Sequence, residues 1–537
     1  MLDKILLYFN TIKYLKFSQI FYRIFYFLYR PRVTLIKDIA NSHGSGTWVN
    51  PIPKKESFFL DSEFKFLNTT RKLNLEFDWK KMHINDLWTY NLHYFDGINS
   101  PNIGFEQSRE LINSWIAYNQ PGESKGWDSY PISLRIVNWI KWAIANKYYD
   151  QFLNNSIASQ GLWLSKKIEY HLSGNHLLAN AKALIFLGLY FDGYEAKKWL
   201  SKGEAIYIKE LDEQILDDGG HYERSPLYHA IILEDLLDIR NASNYWENKL
   251  GEELEKKIDS IIEKMIAWLY SMSHPDGEVS FFNDSAMSIS SPIDEILGYS
   301  ERLGLTYDPK LGFSHLEDSG YISVHSENVH AIIDVGELGP HHQPGHAHAD
   351  TLSFELSLFE KRFIVNSGTS TYSNNARRSF ERSTIAHNTV EINGLNSSEV
   401  WKSFRVGKRA SPCILSISDS NPISIIAKHD GYKSKVQSLE HQREWIINNH
   451  SLQINDYIAG NEISAISRIY LHPEIHMDTN DEFKIPSGEI CKLTTSFESY
   501  NIIETQWSPS FGRLEKNLCI EFFLQEGRNS IIFNWDQ

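Results

Sequence analysis

The stretch QPGHAHADTLSFEL, residues 343–356, sets two histidines and an aspartate on alternate positions and then turns apolar. It lies where the hydrophobic period of the chain changes. Upstream, residues 131–149, 176–191, 225–242 and 254–273 carry apolar side chains at three- and four-residue spacing, as in helices that bury one face. Short links bearing Gly, Asp and Pro separate them, as in a bundle or a toroid of helical hairpins. Downstream, residues 320–337, 351–368, 439–460, 466–477 and 518–535 alternate apolar with polar and break at Gly, Asn or Asp. That is the pattern of antiparallel strands. The chain therefore reads as α+β and multidomain, with helical hairpins first and a large antiparallel β-sandwich after them. The expected division is a lead-in over 1–80, a helical domain over 81–312 and a β-domain over 313–537. A cleft between two such domains is a common place for a ligand.

At 537 residues the chain exceeds one compact core. Its 53 basic and 68 acidic residues leave a formal charge of −15, which argues against a general nucleic-acid binder while leaving room for a local basic groove. The abundant aromatics (15 Trp, 27 Tyr, 29 Phe) suit either buried cores or sugar-stacking surfaces. The three cysteines, Cys413, Cys491 and Cys519, match neither a zinc spacing nor a disulfide framework. Residues 1–32 hold six basic residues and one acid among aromatic and aliphatic ones. No clean apolar stretch and cleavage site follow, so the segment makes a poor signal peptide, and charge interrupts it too often for a bilayer span. It reads as an amphipathic helix that either lies on a membrane surface or packs on the next domain. The expected location is the cytoplasm or the inner face of the membrane, with the periplasm as the other option.

Four polar clusters interrupt apolar segments. SGNHLLANA (173–181) puts Asn175 and His176 at a helix start, either as a cap or as a grip for a carboxylate. DDGGHYERSPLYHA (217–230) concentrates His221, Tyr222, Glu223, Arg224, Tyr228 and His229, with Pro226 suited to a first helical turn. In the opening stretch His346, His348 and Asp350 would share one face if they enter a strand, and alternating His on a strand is a weak zinc signal. The fourth cluster holds Asn366, Tyr372, Arg377, Arg378, Arg382 and His387. Between Lys361 and Arg409 nine basic residues stand against three acidic ones, a candidate wall for an anion.

Together, SGNHLLANAKAL (173–184), DGGHYERSPLYH (218–229), GHAHADTLSFEL (345–356) and STIAHNTVEING (383–394) resemble the heparinase II/III-type polysaccharide lyases, in the family's order. The chain also resembles the subset of that family found among bacterial capsule and surface-polysaccharide functions. The resemblance implies an N-terminal (α/α) toroid, a C-terminal antiparallel β-sandwich and a cleft binding an acidic polysaccharide or oligosaccharide. It implies β-elimination at a uronic acid: a base takes the C5 proton, an acid protonates the departing O4, and the carboxylate must be neutralised.

Carried over by motif, Asn175 would bind that carboxylate with His176 as helper. Tyr228 would be the acid or base, its phenol lowered from about 10 by a nearby positive charge, and His346 would be the facing catalytic His. Arg135 resembles a family arginine that touches the sugar acid; Tyr222, Glu223, Arg224, Arg378 and Arg382 complete the expected substrate wall. The family's structural zinc would fall to His348, Asn366 and His387. Asn366 stands where the family has a carboxylate, and a neutral amide is a poorer zinc ligand. Two other readings remain: a hydrolase using Glu223 and Asp284 as its carboxylate pair, and a non-catalytic glycan-binding or assembly protein.

Overall fold

The computed structural model describes every residue except 1, 30, 33, 75–77, 81–85, 309–310, 434–438, 460–462, 480, 498 and 536–537. The expected boundary at 80/81 borders residues 81–85 and so lies outside the described residues. The basic N-terminal segment forms two helices rather than one, α1 (Leu2–Ile12) and α2 (Phe17–Leu28). The second starts where Gln19 Oε1 accepts the Lys16 N–H at 3.0 Å. A small antiparallel sheet follows, β1 (Phe58–Phe59), β2 (Glu63–Phe66) and β3 (Thr69–Lys72). Its Phe64 and Phe66 rings meet the edges of Trp79 and Trp88.

Among the described residues nine helices make the next layer. They are α3 (Asp86–Tyr94), α4 (Phe105–Tyr118), α5 (Ser129–Ala145), α6 (Gln151–Lys166) and α7 (Gly174–Tyr190), then α8 (Tyr194–Gln214), α9 (Pro226–Tyr245), α10 (Glu252–Ser271) and α11 (Ile293–Arg302). Consecutive pairs α5–α6, α7–α8 and α9–α10 pack as hairpins, while α3, α5, α7 and α9 each lie against the next odd-numbered helix. The odd helices thus form an inner tier, and this explains their composition. Every residue of α7 except His176 is buried, because neighbours cover it all round.

Burial reaches charged groups as well. Lys141 of α5 donates to both oxygens of Asp238 at 2.9 Å, and Lys182 of α7 reaches Asp235 and Asp238 at 2.6 Å each. These bonds tie three inner helices at one level.

The β-domain begins with a five-stranded meander, β4 (Gly312–Leu316), β5 (Tyr321–His325), β6 (Val329–Asp334), β7 (Phe354–Leu358) and β8 (Lys361–Ile364), all antiparallel. A four-stranded sheet joins β9 (Val390–Ile392) to Ala465–Tyr470, Glu515–Leu524 and Tyr500–Trp507. An eight-stranded sheet is built from the remaining strands of residues 412–535. Phe354 and Phe363 from the first sheet, Ile469 and Phe522 from the second, and Trp445 and Phe533 from the third share one core. The stretch 343–350 is a loop between β6 and β7, with the strand starting only at Phe354. The alternation of His346, His348 and Asp350 is therefore not a strand period.

Burial alone would raise the Asp238 carboxyl, but Lys141 and Lys182 hold it below its ordinary value. With the folded pKa depressed, its stabilisation is present above about pH 4 and is lost as pH falls through the folded value. Asp238→Ala leaves two buried ammonium groups underpaired and is expected to cost about 3–5 kcal/mol in urea unfolding at pH 7. The gap to the parent should narrow on acidification below about pH 4; a gap independent of pH contradicts the assignment.

Candidate active site

The loop before β7 is held by residues 283–284, which join the two domains. Asp284 is fully buried and saturated on both oxygens. His346 Nδ1 lies 2.9 Å from Oδ2 and His348 Nε2 lies 2.8 Å from Oδ1. Arg378, from the helix α12 (Ala376–Glu381), reaches both oxygens, with Nη2 at 2.7 Å from Oδ2. Two more bonds fix the register: Asp284 N donates to the His346 carbonyl (3.0 Å) and His348 N to the side-chain Oδ1 of Asn283 (3.1 Å). Desolvation would push the Asp284 carboxyl up, yet Arg378 and the two imidazoles hold it well below the usual carboxylate range.

Tyr228 is placed by helix chemistry. Pro226 opens α9 and Ser225 Oγ accepts the Tyr228 N–H, so the ring leaves the first turn at a set angle. It lies 4.0 Å from the His346 ring, centroid to centroid, and its hydroxyl is 2.9 Å from that of Tyr372. Burial, then Tyr372 and Asp284, push the Tyr228 phenol well above 10, the reverse of the lowering expected from sequence. No cation outweighs the desolvation.

Across from these rings, Glu223 is buried beneath the start of α7. Its Oε1 faces the Asn175 N–H at 3.4 Å and its Oε2 lies 3.6 Å from His346 Nε2. Gly174 has φ +59°, and a Cβ there would meet Glu223 Oε1 at 2.4 Å, so only glycine lets the helix start come this close. Burial raises the Glu223 carboxyl, against an opposing pull from His346. Asn175 is buried and no hydrogen-bond partner reaches its Oδ1. His176 Nδ1 contacts Glu169 Oε2 at 3.3 Å, and its ring lies 4.3 Å from that of Tyr130. Desolvation lowers His176, but Glu169 outweighs it and the imidazole is raised. Asn175, Glu223, Tyr228 and His346 thus form one continuous cluster between the domains. A cleft of about 310 Å³ opens beside it, lined by Leu67, Trp88, Tyr372, Asn375, Arg377 and Phe511.

The expected arginine wall needs correction. Arg135 is fully buried and donates to Gln160 Oε1, His93 O and Gly126 O while stacking 3.8 Å over Trp115, so it braces the helical core and touches no sugar. Arg382 is buried on backbone carbonyls, with Ala347 O at 2.8 Å, and so supports the loop between His346 and His348. Desolvation and then Arg378 bring its guanidinium down to about 9. Arg378 is committed to Asp284 and Ser403 O. Arg224 binds the carbonyls of Glu337 and Asp318, and Tyr222 is buried beside His342. Of the arginines at 377, 378 and 382, it is Arg377 that lines the cleft.

The metal expectation also shifts. His348, Asp350 and His387 place one ligand atom each within 4.8 Å of one another, all buried. His348 Nδ1 and both His387 nitrogens lack partners of hydrogen-bond geometry. Asn366 instead turns its Oδ1 to Asn388 N at 3.1 Å, so Asp350 supplies the carboxylate that Asn366 lacks. Such a buried His–Asp–His group could hold a metal ion. Sequence reading missed Asp284 as the organiser and gave Tyr372 no role. Asp284 follows two buried phenylalanines in FFNDSA, an odd place for a charge, but nothing local links it to a residue 62 positions on.

A helical domain ahead of stacked antiparallel sheets, with Asn, Tyr and His meeting between them, defines the class. Residues 123–299 match the heparinase II/III N-terminus and residues 308–533 the heparinase II/III-like C-terminal domain; the chain belongs to the heparinase II/III family. It is 25% identical over 330 residues to a heparin-sulfate lyase of Bacteroides stercoris, covering 57% of this chain and 46% of that protein. It is 26% identical over 276 residues to one of Pedobacter heparinus, covering 47% and 41%. The matched part is thus under half the length of these relatives. A heparinase III crystal structure superposes with TM-score 0.66 at 18% identity over 86% of this chain and 79% of that one. A heparan sulfate lyase HepC mutant from Pedobacter heparinus gives 0.60 at 18%, over 89% and 81%.

Asp284→Asn strands Arg378 in a buried site and is expected to cost about 3–5 kcal/mol. A cycle with Arg378→Met should give a coupling energy of about 0.5–3 kcal/mol by denaturant unfolding. Strict additivity would show that the two side chains do not support one another.

Proposed function

We propose that this chain is a polysaccharide lyase that cleaves a uronic-acid-containing acidic glycan by β-elimination. The observation that carries the reading is the cluster of Asn175, Glu223, Tyr228 and His346, with His346 Nδ1 bound to Asp284. That bond keeps the proton on Nδ1 and leaves the Nε2 lone pair for a base's work. His346 Nε2 takes the C5 proton. The electron pair becomes the C4–C5 double bond, and O4 departs with the phenolic proton of Tyr228, which burial keeps protonated. Charge developing on the uronate carboxylate is met by the side-chain N–H2 of Asn175 and by His176, whose imidazole Glu169 favours as a cation.

The hydrolase reading fits less well. Its carboxylate pair would need Asp284, whose two oxygens are already saturated and whose acidity is far from that of a general acid. The named relatives act on heparin-type chains, so a glycosaminoglycan is the substrate class we propose. With Arg378 and Arg382 turned into the protein, a carboxylate-rich, lightly sulfated chain suits the cleft better than a densely sulfated one. We also propose that the metal group holds zinc through His348, Asp350 and His387. The ion would fix the loop and supply rigidity rather than a chemical step.

Incubation with sulfated and unsulfated uronate polymers should generate ultraviolet absorbance from the new C4–C5 double bond; new reducing ends without it would establish hydrolysis instead. Tyr228→Phe and His346→Ala should each lower turnover by at least about 100-fold with unchanged circular dichroism. Full activity in either variant overturns the roles. Elemental analysis should find zinc, and both chelation and Asp350→Ala should lower the melting temperature; metal-free protein that melts identically after chelation refutes the site.

A further inference from the structure

The N-terminal helices are amphipathic the wrong way round for a protein in water. On α2, Phe17, Ile20, Phe21, Ile24, Phe27 and Leu28 follow helical spacing and are exposed, with Phe17 at 81%, Phe27 at 78% and Leu28 at 74%. On α1, Ile5, Phe9 and Ile12 do the same. The polar sides of both helices face the protein. Gln19 is buried with its amide on His342 O, Thr11 accepts from Trp401 Nε1 at 3.2 Å, Lys16 pairs with Glu213, and Tyr26 donates to Ile168 O at 2.6 Å. The hairpin is thus anchored on both domains while it presents its apolar stripe outward. A contiguous stripe of this kind on a folded surface marks an interaction site.

Charge identifies the partner. From Lys4 to Lys37 the sequence contains seven basic residues and no acidic one, in a chain with net charge −15. Lys4, Lys13 and Arg23 are exposed beside the stripe. The strand pair Val400–Trp401 and Arg405–Val406, on which α1 packs, adds the exposed Lys402, Arg405 and Lys408. A second copy of this chain would bring these cations against one another, and a soluble polyanion offers nothing to a row of Phe, Ile and Leu. An apolar stripe rimmed by cations matches a bilayer with anionic headgroups, where two weak attractions act together. No helix among the described residues is long and apolar enough to cross a membrane. We propose that α1 and α2 form a docking surface that seats the protein on an anionic lipid bilayer, the helices lying in the interface plane.

The proposal is independent of the reaction. It is tested by sedimenting the full chain with vesicles of phosphatidylglycerol and phosphatidylcholine, with pure phosphatidylcholine vesicles, and with a soluble acidic polysaccharide as competitor. Strong pelleting with the anionic vesicles alone is expected. It should fall about ten-fold or more in the triple variant Phe17→Ser, Ile24→Ser, Phe27→Ser, and also in Lys4→Glu combined with Lys13→Glu. These positions are exposed, so circular dichroism should not change. Absence of pelleting, pelleting indifferent to both variants, or a solution dimer that the serine variant dissolves would each overturn it, the last assigning the face to a second copy.

Discussion

One buried carboxylate governs the geometry between the domains. Asp284 has no access to water, so its charge persists only because Arg378, His346 and His348 surround it. Those partners come from two different settings. Arg378 rides on α12, which the Asn375 side chain caps, while the two histidines sit on a loop with no regular structure of its own. A loop of that kind would sample many conformations in isolation. Here the carboxylate, the Arg382 guanidinium on Ala347 O and the Asn283 side chain on His348 N leave it one. The rigidity of the His346 imidazole is supplied from outside its own segment.

The fold was legible in the sequence because hydrophobic period is a local property. The three- and four-residue spacing of residues 225–242 and 254–273 became α9 and α10, and alternation over 439–460 became a hairpin of two nine-residue strands. The site was half legible. Asn175, Tyr228 and His346 could be picked out because each sits in a short polar motif. Asp284 stood out only as a hydrolase carboxylate; its organising role could not be read, since it lies in contacts spanning more than sixty residues. The arginines failed for a related reason. A surplus of cations in sequence says nothing about which way they face: Arg378 and Arg382 turn inward, as does Arg135 on α5, and each satisfies carbonyls or a carboxylate.

The exchange between Asn366 and Asp350 shows why residue identity at one position is weak evidence about a metal group. What such a group needs is convergent donors of suitable chemistry, not a donor from a given strand. Asp350, two residues past His348, meets that need because the backbone there is a loop rather than a strand, so residues 348 and 350 are free to converge. Asn366 instead binds the Asn388 backbone, a contact that holds the segment after β8 against the segment after His387.

The N-terminal hairpin bears on the same geometry from the far side. Asn175 and Tyr228 belong to the helical domain and His346 to the β-domain, so their separation depends on how the domains are held together. Stacking of Tyr22 on Tyr170 secures α2 to the helices, and Tyr8 against Trp401 secures α1 to the sheets. Between them Gln19 reaches the carbonyl of His342, four residues before His346. A segment that bridges both walls and touches the loop carrying His346 constrains the cleft directly. If its outer face lies on a bilayer, the cleft acquires a fixed orientation to that surface, and a long glycan threading it would have to run at a defined angle to the membrane.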